Sequence, residues 1–238
     1  MSWPYPRIVA HRGGGRLAPE NTLGAMRLGA KMGFKGVEFD VMLAGDGTPV
    51  VIHDETIDRT TNGSGEVAKL SYPELASFKT RNEESIPTYA DTARLCRELG
   101  LWANVEIKPA KGHERATGEA VARMTRDLWK GAPLMPVLSS FSMEALEEAQ
   151  AAAPELARGC LFDKVPGDWH ATLQRLGAIA LHCNYRSLTP GLAREARGAD
   201  YGVALWTVNE PADARRLLAM GADCLITDAL DLIGPGFS

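Results

Sequence analysis

The stretch Gly36-Val37-Glu38-Phe39-Asp40-Val41 decides the fold. Side chains alternate along a β-strand, so Glu38 and Asp40 share one face while Val37, Phe39 and Val41 share the other. Two carboxylates on one face of a β-rich run suit a barrel strand. The apolar set then packs beneath helices, and the acids look into the lumen near the strand's C-terminal end, where barrel active sites are built. Read alone, Glu-x-Asp would also fit the wet face of an edge strand. A second run, 102–108, changes that reading: Asn104, Glu106 and Lys108 share one face and Val105 and Ile107 the other. Two neighbouring strands thus aim three carboxylates and a lysine at one place.

Outward from these two runs, short β-rich segments alternate with longer Ala/Leu-rich ones, as when helices connect successive parallel strands. Eight strand-like runs are read at 7–11, 36–41, 102–108, 136–140, 158–162, 178–183, 202–208 and 224–228. The chain of 238 residues, 45% hydrophobic, matches the usual size of one barrel, about 250 residues. We therefore expect an α/β fold, a (β/α)8 TIM barrel forming one domain over 1–238. Asn21 or Thr22 is expected to cap the first helix and Gly33 to stop it; Pro211 opens the last helix and Gly221 closes it. Residues 43–87 break the alternation and are read as an inserted β-hairpin and loop after the second strand, with Asp46-Gly47 as the hairpin turn.

Converging carboxylates in a low-dielectric space repel one another, and a divalent cation resolves this. With only oxygen ligands and no paired Cys/His spacing, the expected ion is Mg²⁺ or Ca²⁺ rather than zinc. His11 ends the first strand and His53 ends the hairpin strand, so of two imidazoles near a metal one can accept a proton and the other donate one, with the order left open. Arg12 and Lys108 are expected to bind phosphate oxygens, with ion pairing to Glu38 or Glu106 as the alternative. Gly13-Gly14-Gly15 lacks nucleotide-loop spacing and is read as a loop allowing close backbone approach. Trp206, on a face with Ala204 and Val208, is read either as lining a substrate pocket or as core, and Phe141 likewise. His182 and Asn184 are candidate contacts to substrate hydroxyls.

Lys and Arg total 26 against 30 Asp and Glu, a net charge of −4, which disfavours nucleic acid and anionic membrane as partners. The N-terminus has no apolar signal region, no run approaches a membrane span, and Cys160, Cys183 and Cys224 lie in apolar runs. These features lead us to expect a cytoplasmic protein with reduced thiols and no stable membrane association. Oligomeric state is not legible here.

His11-Arg12-Gly13, Pro19-Glu20-Asn21-Thr22, Glu38-x-Asp40, Val50-Val51-Ile52-His53-Asp54, Asn104-x-Glu106-Ile107-Lys108, Trp206-Thr207-Val208-Asn209 and Ile226-Thr227-Asp228 together resemble, in order and spacing, the glycerophosphodiester phosphodiesterase family. The closing segments around Asp228 and Ile233-Gly234-Pro235 most resemble its cytoplasmic bacterial branch associated with glycerol-3-phosphate uptake. The resemblance implies a β/α barrel that hydrolyses glycerophosphodiesters to glycerol 3-phosphate and an alcohol. It places metal ligands on Glu38, Asp40 and Glu106, acid/base roles on His11 and His53, and phosphate binding on Arg12 and Lys108. One departure is Phe78 to Thr88, shorter and more charged than the aromatic Gly-Ser-Trp-Phe stretch of many relatives, which leaves lid and alcohol specificity open. Rival readings are a related phospholipase D or lyase acting on a lysolipid or inositol phospholipid, and a non-catalytic phosphoglycerol-binding module. A polar, charged insertion favours a small soluble substrate, and a pure binding module would need neither histidine.

Overall fold

The alternation closes on itself. In the computed structural model, which describes residues 3–238, eight parallel strands form a barrel: β1 (Ile8–Ala10), β2 (Gly36–Leu43), β4 (Trp102–Ile107), β5 (Val137–Ser140), β6 (Ala157–Phe162), β7 (Ala180–Asn184), β8 (Gly202–Trp206) and β9 (Cys224–Thr227). β1 pairs with both β9 and β2, which shuts the sheet. The short β3 (Pro49–Val51) runs antiparallel to β2, with Val41 opposite Val51 and Leu43 opposite Pro49. Its turn is the expected one: the Gly47 amide donates to the Ala44 carbonyl at 2.9 Å, and Gly47 has φ 83°.

Seven longer helices wrap the barrel: α1 (Leu23–Lys31), α3 (Tyr89–Glu98), α4 (Glu114–Leu128), α5 (Met143–Ala152), α6 (Trp169–Arg175), α7 (Pro190–Gly198) and α8 (Pro211–Met220). Their starts follow capping chemistry. The Thr22, Thr88, Ser142 and Thr189 side chains each accept a backbone N–H from the first turn. Gly221, at φ 102°, ends α8 in the left-handed conformation that a side chain would disfavour. Val37, Phe39, Val41, Val105 and Ile107 pack in one large core with helix residues such as Met26, Ala93, Val121, Leu146 and Leu217. Val9, Trp102, Val137, Ala204, Cys224 and Ile226, which alternate with that set, form a second cluster inside the barrel. All four cysteines are free and buried, Cys96 on α3 included.

The insertion holds more structure than a hairpin and loop. It adds a 3₁₀ turn (Val67–Lys69) and α2 (Tyr72–Ser77), and Met42, Val50, Ile52, Ile57, Val67, Leu75 and Ile86 give it a core of its own. Six residues are too few for helical periodicity to show. The start of α2 is instead marked by a Ser71/Glu74 capping box. The expected face of Ala204, Trp206 and Val208 also needs correction. β8 ends at Trp206, the alternation stops there, and Val208 turns into the helix-side core while its N–H bonds the Ile226 carbonyl at 2.9 Å.

At the opposite end of the barrel from the site, Arg158 is 4% exposed and donates to the carbonyls of Leu176 (3.0 Å) and Leu156 (2.6 Å), with longer bonds to Pro154 and Gly177. It gathers the chain ends that follow α5 and α6. Arg158→Met strands these carbonyls and is expected to lower the unfolding free energy by roughly 3 kcal/mol. Urea titration measures that loss, and turnover of the folded fraction should be unchanged.

Candidate active site

The strand register decides what the acids can do. Glu38 lies opposite Asn104, and Asp40 lies opposite Glu106, so the paired carboxylates become neighbours across β2 and β4. Glu38, Asp40 and Glu106 are 3%, 1% and 8% exposed, and each brings an oxygen within 4.8 Å of the others. His11, Arg12, His53, Asn104, Lys108, Phe141, Leu161, Trp206, Thr207 and Ile226 complete the lining of a cavity of about 120 Å³ around them.

Both histidines are backed by carboxylates. His11 Nδ1 lies 2.6 Å from Asp228 Oδ1, and its Nε2 stands 3.7 Å from Glu38. Asp228 is itself held by the Asn209 side chain, which donates at 3.2 Å and accepts the Asp228 N–H at 2.8 Å. His53, two residues beyond β3 rather than at its end, has Nδ1 at 2.6 Å from Asp54 Oδ1. A carboxylate on Nδ1 favours the tautomer that leaves Nε2 for proton transfer. The two rings differ in bias. Burial disfavours charge on His11, but the Asp228 hydrogen bond and the Glu38 charge outweigh it, so its pKa is raised. For His53, burial is the largest influence and Arg12 and Lys108 add to it; Asp40 and Asp54 oppose, and the pKa is lowered.

Arg12 sits at φ 48°, and Asn21 at φ 59°, both in the left-handed region that non-glycine residues occupy at a cost. The turn at Arg12 points its N–H at Glu38 (3.1 Å), while Asn21 donates its side-chain amide to Asp40 (2.9 Å). Gly13, at φ 83°, confirms the close-approach reading: an added Cβ would lie 2.6 Å from Met26 Sδ and 2.9 Å from its amide nitrogen, in the first turns of α1. The Arg12 guanidinium pairs with Glu20 (2.6 Å) and approaches Asp40 (3.5 Å); Lys108 pairs with Glu106 (2.9 Å) and approaches Asp40 (3.9 Å). Of the ion pairing weighed from sequence, Lys108 with Glu106 is present, whereas the Arg12 guanidinium pairs with Glu20 instead of Glu38 or Glu106; both cations line the cavity.

Burial, and then the Asp40 charge, push Glu38 up to about 7 and Glu106 up to about 8. Burial would raise Asp40 too, but Arg12, His53, Lys108 and the Asn21 bond hold it below its ordinary value. Two carboxyls that resist ionisation beside a third that is ionised form a set a cation would relieve. Asn104 adds a buried carbonyl oxygen without a hydrogen-bond partner on the same wall. An all-oxygen cluster of this kind fits a hard divalent ion.

The model of the glycerophosphoryl diester phosphodiesterase family matches residues 11–232, nearly the entire chain. The chain belongs to that family. A glycerophosphodiester phosphodiesterase of Caldanaerobacter subterraneus is 33% identical over 93% of this chain and 93% of its own. A phosphodiesterase of Oleispira antarctica, solved in complex with the product sn-glycerol-3-phosphate, is also 33% identical, with a TM-score of 0.89 over 94% of each chain. A glycerophosphodiester phosphodiesterase of Agrobacterium tumefaciens superposes with a TM-score of 0.81 at 27% identity, over 95% of this chain and 98% of that one.

This family member brings together the metal-ligand, acid/base and phosphate-binding candidates and Trp206: His11, His53, Glu38, Asp40, Glu106, Arg12, Lys108 and Trp206 all line one cavity. Phe141 joins them, edge-on to Trp206 with centroids 5.3 Å apart and 5.4 Å from Lys108 Nζ. His182 and Asn184 do not. His182 is buried in the barrel against Gly159, where desolvation pushes it down to about 4 and keeps it neutral. Asn184 turns its amide to Asp163 at 2.9 Å. The supporting residues Glu20, Asn21, Asp54, Asn209 and Asp228 stood inside the motifs quoted from sequence, where nothing marked what they would touch.

Proposed function

We propose that this chain hydrolyses glycerophosphodiesters, such as glycerophosphocholine or glycerophosphoethanolamine, to glycerol 3-phosphate and an alcohol, as one β/α-barrel domain over 1–238. The carrying observation is a single cavity walled by three buried carboxylates, two carboxylate-backed imidazoles and two cations. Glu38, Asp40 and Glu106 would hold Mg²⁺ or Ca²⁺, which when bound would draw charge from the phosphoryl oxygens as a Lewis acid. Arg12 and Lys108 orient the phosphoryl group through its non-bridging oxygens. One imidazole takes the proton of the attacking oxygen at Nε2, and the other gives a proton from Nε2 to the departing alcohol. The attacker is either water or the glycerol 2-hydroxyl, the latter giving a cyclic phosphate that water opens. Trp206 and Phe141 form an apolar wall for the carbon skeleton beside Lys108.

A small polar substrate is favoured over a lysolipid. The wider groove outside the cavity, about 620 Å³, intersperses the charged and polar side chains of Arg16, Glu20, Arg59, Arg81 and Asn82 with Leu17, Ala18 and Pro19, so an acyl chain there would lie against charge as well as apolar surface. No helix among the described residues is long and apolar enough to cross a membrane. We place the protein in the cytoplasm on its free, buried cysteines. Release of glycerol 3-phosphate from glycerophosphocholine or glycerophosphoethanolamine with Mg²⁺ or Ca²⁺, and its loss with a chelator, is the expected result. No release from any glycerophosphodiester would end this reading.

A further inference from the structure

Arg59 lies in the insertion, half-exposed, outside every motif that marks the site. Its side chain nonetheless makes three hydrogen bonds to carboxylates. Nε donates to Asp54 Oδ2 at 2.5 Å, while Nη1 and Nη2 donate to Glu20 Oε2 and Oε1 at 2.6 and 2.7 Å. Each of these carboxylates also reaches a cavity residue: Asp54 Oδ1 bonds His53 Nδ1, and Glu20 Oε1 accepts from Arg12 Nη1, both at 2.6 Å. The result is an unbroken chain, His53, Asp54, Arg59, Glu20, Arg12, that bridges the insertion and the β1–α1 loop.

The two histidines differ in how they are anchored. The carboxylate behind His11 follows β9 and is fixed by Asn209 and by backbone bonds of the barrel. His53 stands on the connection beyond β3, and its carboxylate Asp54 is tied through Arg59 to Glu20 of the β1–α1 loop. A planar guanidinium is suited to this task, because its fork can face two carboxylates at fixed angles where an ammonium is a single point charge.

We infer that Arg59 is a positioning residue for the reaction, holding His53 through Asp54 and Arg12 through Glu20 so that the proton-transfer group and the phosphate-binding group keep one mutual geometry. The inference rests on the proposed phosphodiesterase activity. An exposed ion pair contributes little to stability, so Arg59 acts on turnover and not on the fold.

The test is steady-state hydrolysis of glycerophosphoethanolamine with Mg²⁺ by Arg59→Ala, Asp54→Asn, Glu20→Gln and the double variants with Arg59→Ala. Asp54→Asn is expected to act on kcat and Glu20→Gln chiefly on KM, while Arg59→Ala does both, lowering kcat/KM about 10- to 100-fold. In each double variant the second change adds little, since the chain is already broken, and urea unfolding of Arg59→Ala matches wild type. Wild-type kinetics in Arg59→Ala, or losses that multiply in the double variants, would overturn the inference. If Arg59→Ala unfolds more easily, Arg59→Gln repeats the cycle with its length and polarity largely kept. A wild-type protein inert towards every glycerophosphodiester fails the activity itself, whereas an active wild type with an equally active Arg59→Ala fails only this inference.

Discussion

Alanine at His11 or at His53 is expected to lower kcat for glycerophosphodiester hydrolysis by about 10²- to 10⁴-fold, the usual worth of a positioned proton-transfer group. The alcohol leaves as a poor alkoxide unless it is protonated, and the attacking oxygen is a poor nucleophile unless it loses its proton. Each ring therefore lies on the reaction path. The opposite biases of the two imidazoles, raised at His11 and lowered at His53, mean that around neutral pH one inclines to hold a proton and the other to be free. Their joint removal should cost little more than the worse single loss, because groups that act as a unit are not additive. Near-wild-type kcat in either alanine variant would sink the assignment. KM for the same substrate is expected to move far less, since Arg12 and Lys108 still face the phosphoryl group.

Stripped of divalent cations, the protein should lose stability as pH rises from about 4.5 towards about 8, by an amount on the order of a few kcal/mol. The sign follows from the direction of the shifts. Glu38 and Glu106 have pKa values above their ordinary 4.5, so across that window the folded state holds protons that the unfolded state has released. Unfolding then becomes easier with each step in pH until both groups ionise in the folded chain. Asp40 is shifted the other way, and its contribution is complete above the ordinary Asp value of 3.8, below this window. Saturating Mg²⁺ or Ca²⁺ should remove most of the loss, because a cation among three ionised carboxylates binds the folded chain alone and stabilises it by mass action. Urea unfolding at several pH values, with chelator and with each metal, measures both effects. A metal-free stability flat between pH 5 and 8 would deny that these carboxyls resist ionisation. Glu106→Gln should remove the Glu106 share of the metal-free pH dependence, leaving that of Glu38, and abolish most of the stabilisation by metal.

The barrel was legible because its cause is local. Inward acids and outward aliphatics alternate along 36–41 and 102–108, and such alternation needs no tertiary information to be read. Cap and stop residues at Thr22 and Gly221 behaved as their backbone chemistry dictates. Local pattern failed where elements were short or the strand ended early. α2 is six residues long, His53 lies beyond β3, and Val208 left the face assigned to it once β8 stopped at Trp206. His182 fails for another reason. A histidine next to the end of a barrel strand can face the rim or lie one layer deeper, and only the stagger of β7 against β6 and β8 places it below the cavity.

From the sequence alone came the strand faces, the barrel, the carboxylate and histidine set, and a family resemblance that the whole-chain match bears out. Those depend on residue type and spacing along one chain. Tertiary structure decided which groups meet: Asp40 beside Glu106 through the β2–β4 register, Asp228 behind His11 across 217 positions, and Arg59 between Asp54 and Glu20. These contacts depend on the closing of the sheet and the folding back of the insertion. No local rule encodes them, because a hydrogen bond or charge interaction is set by distance in space and not by separation along the chain.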